Sequence, residues 1–459
     1  MAANDEGSKQ IESRQQAQIK LILKAFSPAD KQAKPPGKVA VDPPDWEDTG
    51  EVKYLYREGS VLVRDRDLRR VRDLFRTGDQ EDQGTIHTEG ISGLTRYDPP
   101  PNFQIPNDVP VPGGLTPTLA NLFYIDYRLG IGVATPDHLL YVVPVQPCPA
   151  HEPEEMPRGA QPFPGVSHDP CDGAGVSVSI VDVGWTPSNR SWLDGVNGDL
   201  ERADPTDIPE YAGHGTFAAG VLRCMAPKAE IYVEGMLTTA GATFESELVP
   251  QLDDALNKSP DIISLSAGTH TRHDLTLIGF DVLWEERLSK LKGTVLIAAA
   301  GNNAIRDQFY PAAQQGVVGV GALDSTWRGK AHFTNFGHWV DVYAPGEYLT
   351  NAFLTGHYVC KEPPDKPEPR DFYGMATWSG TSFATPLVVG LIAARMSMTG
   401  ENAREAADAL LRFAQQLAVP GVGATLRPGD AWASLPHTMR GRYQLRLDEA
   451  VHLIDRPPA

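Results

Sequence analysis

The sequence predicts an α/β protein with a smaller α/β unit in front of its main domain, and three observations carry that expectation. Apolar, β-branched runs end abruptly in a polar residue or a glycine turn, as Gly175–Gly184 and Thr294–Asn303 do. Longer apolar runs, Phe217–Met225 and Phe383–Ala394, follow short Gly/Ser/Thr stretches and read as buried helices. Strand-like and helix-like stretches also alternate between residues 51 and 146, and a Pro-rich linker over 147–174 sets them apart.

Taken in order, residues 1–50 read as a partly disordered N-terminal arm, because 29–48 is rich in Pro, Lys and Asp. Within it, Ile19–Phe26 has the spacing of a short amphipathic helical turn. Ser60–Arg64 is strand-like, and Asp65–Phe75 places Leu68, Val71, Leu74 and Phe75 at helical spacing. Thr116–Leu129 reads as a second helix and Gly132–Val143 as a strand. The main domain is expected over 175–459.

The run Ser379-Gly-Thr-Ser-Phe-Ala-Thr-Pro386 puts Ser382 at the mouth of a buried helix. First-turn N–H groups lack helical partners there and can bind a developing oxyanion. Alone, such a serine reads as an ordinary helix cap. A nucleophile needs a base, and His214 lies between Gly213 and Gly215, which allow close backbone approach. Asp182 closes an apolar strand, where a carboxylate is costly unless something pairs with it. Singly, Asp182 reads equally as a turn residue and His214 as a cap. Asn302, in the turn after Thr294–Ala300, adds a side-chain amide donor.

The order Asp182, His214, Ser382, joined by Asn302, resembles the subtilisin-like serine peptidases. The related sedolisins replace the histidine with glutamate and the oxyanion asparagine with aspartate; both His214 and Asn302 stand here. The resemblance implies a doubly wound, mostly parallel sheet of subtilisin type. It implies a nucleophile at Ser382, a base at His214, an orienting acid at Asp182, and an oxyanion hole from Asn302 and the Ser382 N–H. Ser266, Ala267 and Gly268 would bind the substrate backbone as an added strand, with Gly301 and Asn303 beside them and Thr238–Gly241 opposite. Asn303 stands where some relatives carry an acid, which favours a neutral or apolar side chain before the scissile bond. Phe383 replaces a commoner methionine and reads as packing.

The same resemblance makes 51–146 a propeptide-like, ferredoxin-like domain, either an inhibitory prodomain or a permanent accessory domain. The partner it implies is a protein or peptide substrate, with intramolecular inhibition by that domain. His214–Met225 runs on without the insertion that holds calcium in secreted subtilisins, so no obligatory cofactor or metal is expected, with a structural calcium left open away from that loop. Thr355–Tyr373, longer than the family minimum, reads as a solvated loop. An esterase on the same residues, or a binding protein with an inactive site, stays open as an alternative.

A chain of 459 residues, 41% of them hydrophobic, is large enough for two or three domains with full cores. The net charge of −18 disfavours nucleic acid and anionic membranes as partners. No apolar run of spanning length stands out, so no membrane span is expected. Residues 1–10 lack the basic and apolar regions of a secretory signal, which points to a cytoplasmic location. Four cysteines make no disulfide framework: Cys224 reads as a buried thiol, Cys360 as a loop residue, and Cys148 and Cys171, which flank the linker, as free thiols with a pairing left open.

Overall fold

The computed structural model describes residues 18–27, 37–76, 83–88, 90–142, 152–169, 171–201, 204, 206–360, 368–436 and 438–440. The N-terminal unit comprises β1 (Val39–Asp42), β2 (Tyr54–Arg64), α1 (Asp65–Leu74), β3 (Thr85–Thr88), β4 (Leu94–Asp98), α2 (Pro117–Leu129) and β5 (Ala134–Val142). Its strands lie in the order β5-β2-β4-β3, all antiparallel, with β1 alongside part of β2. From β2 onward this is the β-α-β-β-α-β arrangement of a ferredoxin-like unit. Thr116 caps α2 by accepting from Leu119 N, and Pro117 fits the first helical position because the lost N–H had no partner there. Val71 and Phe75 from α1, and Leu122 and Ile125 from α2, cover Tyr56, Val61, Val63 and Tyr97 of the sheet.

The arm expected over 1–50 is folded wherever it is described. β1 pairs with β2, Trp46 is buried, and residues 18–25 are helical with Ile19, Ile22 and Phe26 buried. Apolar residues spaced by three and four supply enough contact to override the polar composition around them.

The main domain contains β6 (Ser177–Asp182), α3 (His214–Met225), β7 (Glu230–Gly235), β8 (Ala242–Phe244), α4 (Glu245–Leu256), β9 (Ile262–Leu265), β10 (Ala267–Gly268), β11 (Val295–Ala299), β12 (Val317–Leu323), β13 (Val342–Pro345), β14 (Leu349–Cys360), β15 (Glu368–Trp378), α5 (Thr381–Thr399) and α6 (Ala403–Gln416). A parallel sheet in the order β13-β12-β11-β9-β6-β7 forms its centre, edged by Asn197–Gly198. Successive strand residues face opposite sides. Val178, Ile180 and Ile297 pack toward α3, α5 and α6, while Val181, Leu296 and Ala298 pack toward α4. This is the doubly wound, mostly parallel arrangement that the sequence predicts. α5 is long and apolar enough to cross a membrane, contrary to the reading above; it is apolar all round because it is the core helix, almost wholly buried.

Two further readings change. Thr355–Tyr373 is largely a hairpin of β14 and β15, its 361–367 tip lying outside the described residues. Cys360 is accordingly a buried strand residue. The charged, Pro-rich tip masked the strands, which an aromatic cluster of Phe353, Tyr358, Phe372 and Trp378 holds on the core. Cys171 and Cys224 carry free thiols, and Cys148 lies outside the described residues. Of the linker, Glu154–Glu155 adds to β15, and Phe163 exchanges backbone hydrogen bonds with Thr350.

The two units share one sheet, because β8 and β10 of the main domain both pair with β5. Arg57 donates to Asp137 at 2.7 Å, and both side chains are buried. Asp137 in turn accepts from the Ser246 N–H at 3.0 Å and the Ser246 hydroxyl at 2.7 Å, at the start of α4. Next to it, His138 Nε2 accepts from the Arg272 N–H at 3.2 Å, so Nδ1 carries the proton and faces Glu245 Oε2 at 3.5 Å. Burial, aided by the Arg272 charge, lowers His138 to about 3.

The sign of the resulting pH effect follows from that depression. A histidine held neutral when docked contributes fully above its free pKa of about 6.5, and its contribution is lost as pH falls toward the docked value. Glu245 acts oppositely, since burial raises its carboxyl, so acid relieves its penalty. Docking of β5 in a His138→Gln variant, which keeps an acceptor for Arg272 N, should therefore weaken less than wild type between pH 7 and 5. The wild-type difference should reach at most about 1.4 kcal/mol per pH unit. Hydrogen exchange of the β8 amides, corrected for intrinsic rates, measures it.

Candidate active site

Asp182 ends β6 at the carboxyl edge of the parallel sheet, where open α/β sheets place their sites. Its carboxylate has no solvent exposure. It is satisfied by the Val183 N–H at 2.8 Å and by His214 Nδ1, at 2.9 Å from Oδ1 and 2.8 Å from Oδ2. The close approach depends on Gly215: a Cβ there would overlap the Gly184 carbonyl oxygen and press on the Asp182 side chain. His214 opens α3 behind Gly213, whose φ of 79° suits glycine. Its imidazole sits against Phe383, with centroids 4.9 Å apart, and edge-on to Trp378 at 5.4 Å. Phe383 thus packs directly against the imidazole.

Ser382 lies in the first turn of α5, where its N–H has no helical carbonyl to bind. Its hydroxyl donates to the Ser266 carbonyl at 3.4 Å in this state, and the Ser266 hydroxyl donates to the Ser382 carbonyl at 2.9 Å. Asn302 is buried, and its Oδ1 accepts from the Thr381 N–H at 2.9 Å and the Thr381 hydroxyl at 2.8 Å. That commits the oxygen and makes Nδ2 the donor end. Gly301, at φ 94°, donates its N–H to the Thr381 hydroxyl at 3.2 Å.

Ala267 and Gly268 form β10, paired antiparallel with Val142 and Tyr141 of β5. The opposite edge is β8, paired with Leu139–Tyr141; it lies just beyond Thr238–Gly241, and of that segment Gly241 accepts from Val142 N at 2.8 Å. Asn303 donates its N–H to Asn335 Oδ1 at 2.8 Å and borders a 730 Å³ cleft between the two units. Asp182 thus meets His214, Ser266 meets Ser382, Gly301 and Asn302 meet Thr381, and Ala267 and Gly268 lie on a strand edge.

Sequence reasoning missed Asn335 and Glu201. Buried Asn335 clamps the turn bearing Asn302, donating to the Ala300 carbonyl at 2.9 Å and accepting from Asn303 N and Ile305 N. Glu201 accepts from the Gly213 N–H at 2.7 Å, just before His214. Burial pushes its carboxyl up to about 8, the Gly213 bond opposing and the Asp182 charge adding. Neither residue stands in a motif that marks it. Among the described residues no group of three His, Cys, Asp or Glu is placed to hold a metal.

A doubly wound sheet with the hydrogen-bonded pair Asp182 and His214 at its carboxyl edge puts the candidate site where open α/β sheets carry theirs. Comparison with known proteins supplies the class. The Peptidase S8 profile, described as the subtilase family, matches residues 173–424, more than half of the chain. The chain belongs to that family and is a subtilisin-like serine peptidase. It is 30% identical over 228 residues to a thermophilic serine proteinase of Bacillus sp. (strain AK1), covering 48% of this chain and 50% of that protein. It is 27% identical over 264 residues to thermitase of Thermoactinomyces vulgaris, covering 55% of this chain and 86% of thermitase. The solved structure of a cold-adapted subtilisin-like serine proteinase aligns with a TM-score of 0.44 and 20% identity, over 56% of this chain and 90% of that one.

Replacing Gly215 with alanine should push α3 away from β6 and part His214 from Asp182. A displacement of about 1 Å is enough to lower kcat/KM by about 10²-fold. Peptide hydrolysis by Gly215→Ala, set beside its melting temperature, checks this. A fold that melts lower, because the core is overpacked, and reacts more slowly than its folded fraction accounts for is the expected result.

Proposed function

We propose that the protein is a serine endopeptidase in which Asp182, His214 and Ser382 form a catalytic triad, and whose turnover is restrained by its own N-terminal unit. The observation that carries the reading is the buried Asp182–His214 Nδ1 hydrogen bond, with Phe383, the neighbour of Ser382 in the first turn of α5, packed on the imidazole. With Nδ1 donating to Asp182, neutral His214 presents an unprotonated Nε2 as a base. Ser382 Oγ attacks the substrate carbonyl carbon while its proton passes to Nε2. The oxyanion that forms is met by Asn302 Nδ2 and the Ser382 N–H. Collapse breaks the C–N bond, the imidazolium returns the proton to the leaving amine, and an acyl-enzyme remains. Water then repeats the steps, releasing the acid and restoring the serine. The sequence of steps requires no cofactor.

A substrate would lie as an extended strand between β8 and β10, where backbone pairing gives affinity with little sequence demand. β5 now holds that place through Leu139–Val142. The substrate groove and the docking site of the N-terminal unit are therefore one surface, which supports intramolecular inhibition.

If the N-terminal unit is a prodomain, purified wild type should be cut between residues 143 and 174. Ser382→Ala should stay full length and lose about 10⁶ in kcat. Intact-mass spectrometry of the two proteins side by side reads this. Equal, full-length masses would mean that the unit is retained.

A further inference from the structure

The space beside Ser382 that should take a substrate side chain is already filled by a residue of the chain. Phe309 is fully buried, and its ring lies between two glycines. A Cβ on Gly268 would overlap the ring at Cε1, and a Cβ on Gly301 would lie 3.1 Å from Cγ and Cδ1. His270 closes the assembly edge-on, with centroids 5.1 Å apart.

Both glycines belong to the segments that frame the nucleophile. Gly268 lies two residues after Ser266, whose carbonyl is 3.4 Å from Ser382 Oγ. Gly301 precedes Asn302, which is tied to Thr381. A peptide on β10 in the antiparallel sense of β5 brings its reacting carbonyl to Ser382, with the oxygen at Asn302. The side chain on the acyl side of that bond must then project between the Ser266–Gly268 strand and the Ala299–Asn303 turn. Glycine at 268 and 301 leaves a slot there with no side-chain walls, and in this protein the Phe309 ring occupies it.

The ring is also held firmly. Tyr310, the next residue, exchanges two 2.8 Å backbone hydrogen bonds with Thr269. Its single hydroxyl proton has two acceptors in reach, Gln308 Oε1 at 2.8 Å and the Asp274 carbonyl at 2.9 Å. The backbone carrying Phe309 is thus pinned at Tyr310, and the ring itself has Gly268, Gly301 and His270 around it.

We infer that Phe309 is the specificity-determining residue of the acyl-side pocket, and that it restricts the residue before the cleaved bond to glycine, alanine or serine. This rests on Ser382 being the nucleophile, as proposed above. Peptides rich in small residues are the substrate class that fits.

The test uses the full chain and two reagents with one chemistry, methanesulfonyl fluoride and phenylmethanesulfonyl fluoride. With each, Ser382 Oγ displaces fluoride from sulfur and its proton passes to His214, and mass spectrometry locates the adduct. Wild type should take the methyl reagent at Ser382. The ratio of benzyl to methyl rates should rise by about 100-fold or more in Phe309→Gly, and by less in Phe309→Leu. An unchanged ratio overturns the inference while leaving Ser382 as nucleophile. Failure of both reagents to modify Ser382 in every form overturns the nucleophile and the pocket together. A digest of a denatured protein by wild type gives a readout free of any folding defect in the variants. Cuts after Gly, Ala and Ser support the inference, and comparable cutting after Phe, Tyr or Leu overturns it.

Discussion

The architecture turns on one buried carboxylate. Asp182 ends a parallel strand with no exposure, and an ionised group so placed must be met by donors on the protein. One donor, the Val183 N–H, is local, but the other has to be brought to it by a helix. That requirement fixes α3 against β6 at a distance only glycine at 215 permits, beside the φ-positive Gly213. Once α3 is seated, the imidazole is walled by Trp378 and Phe383, and Phe383 belongs to the helix that carries Ser382. Asn302 completes the frame through Thr381, the neighbour of Ser382. The site is where the sheet's polar carboxyl edge is satisfied by the starts of two helices.

A second constraint concerns strand edges. β8 and β10 leave a gap between them, and exposed edges with free backbone groups attract a further strand. β5 fills that gap, so a sheet begun in the N-terminal unit is completed by the main domain. The arrangement is reinforced by buried polar groups rather than apolar contact alone: Arg57, Asp137 and the start of α4 form one network. Residues 18–25 add to it, with Phe26 edge-on to Phe244 and Gln18 bonded to the Val142 carbonyl. What would bind substrate is what holds the two units together.

The residues legible in the sequence share a property: each stands in a short run whose local chemistry is unusual. Asp182 is a charge at the end of an apolar strand, His214 is bracketed by glycines, Asn302 follows Ala-Ala-Gly, and Ser382 precedes a wholly apolar helix. Phe309 carries no such mark. Its meaning comes from lying between two glycines distant from it in the chain, which only the fold reveals. Asn335 and Glu201 escaped for the same reason, since each acts on backbone N–H groups brought near by tertiary structure. The hairpin of β14 and β15 and the folded part of residues 1–50 were obscured by composition. Pro and charge marked them as loop or arm, while a few well-spaced apolar side chains decided the outcome.

The proposed chemistry depends most directly on which nitrogen of His214 carries the proton. Nitrogen-15 NMR of protein labelled at histidine, with His214 assigned by substitution, reads this at neutral pH. The structure predicts a protonated Nδ1 held by Asp182 and a bare Nε2, with the tautomer reversed in Asp182→Asn. A neutral His214 protonated at Nε2 in the wild type would contradict it, because such a ring cannot take the serine proton.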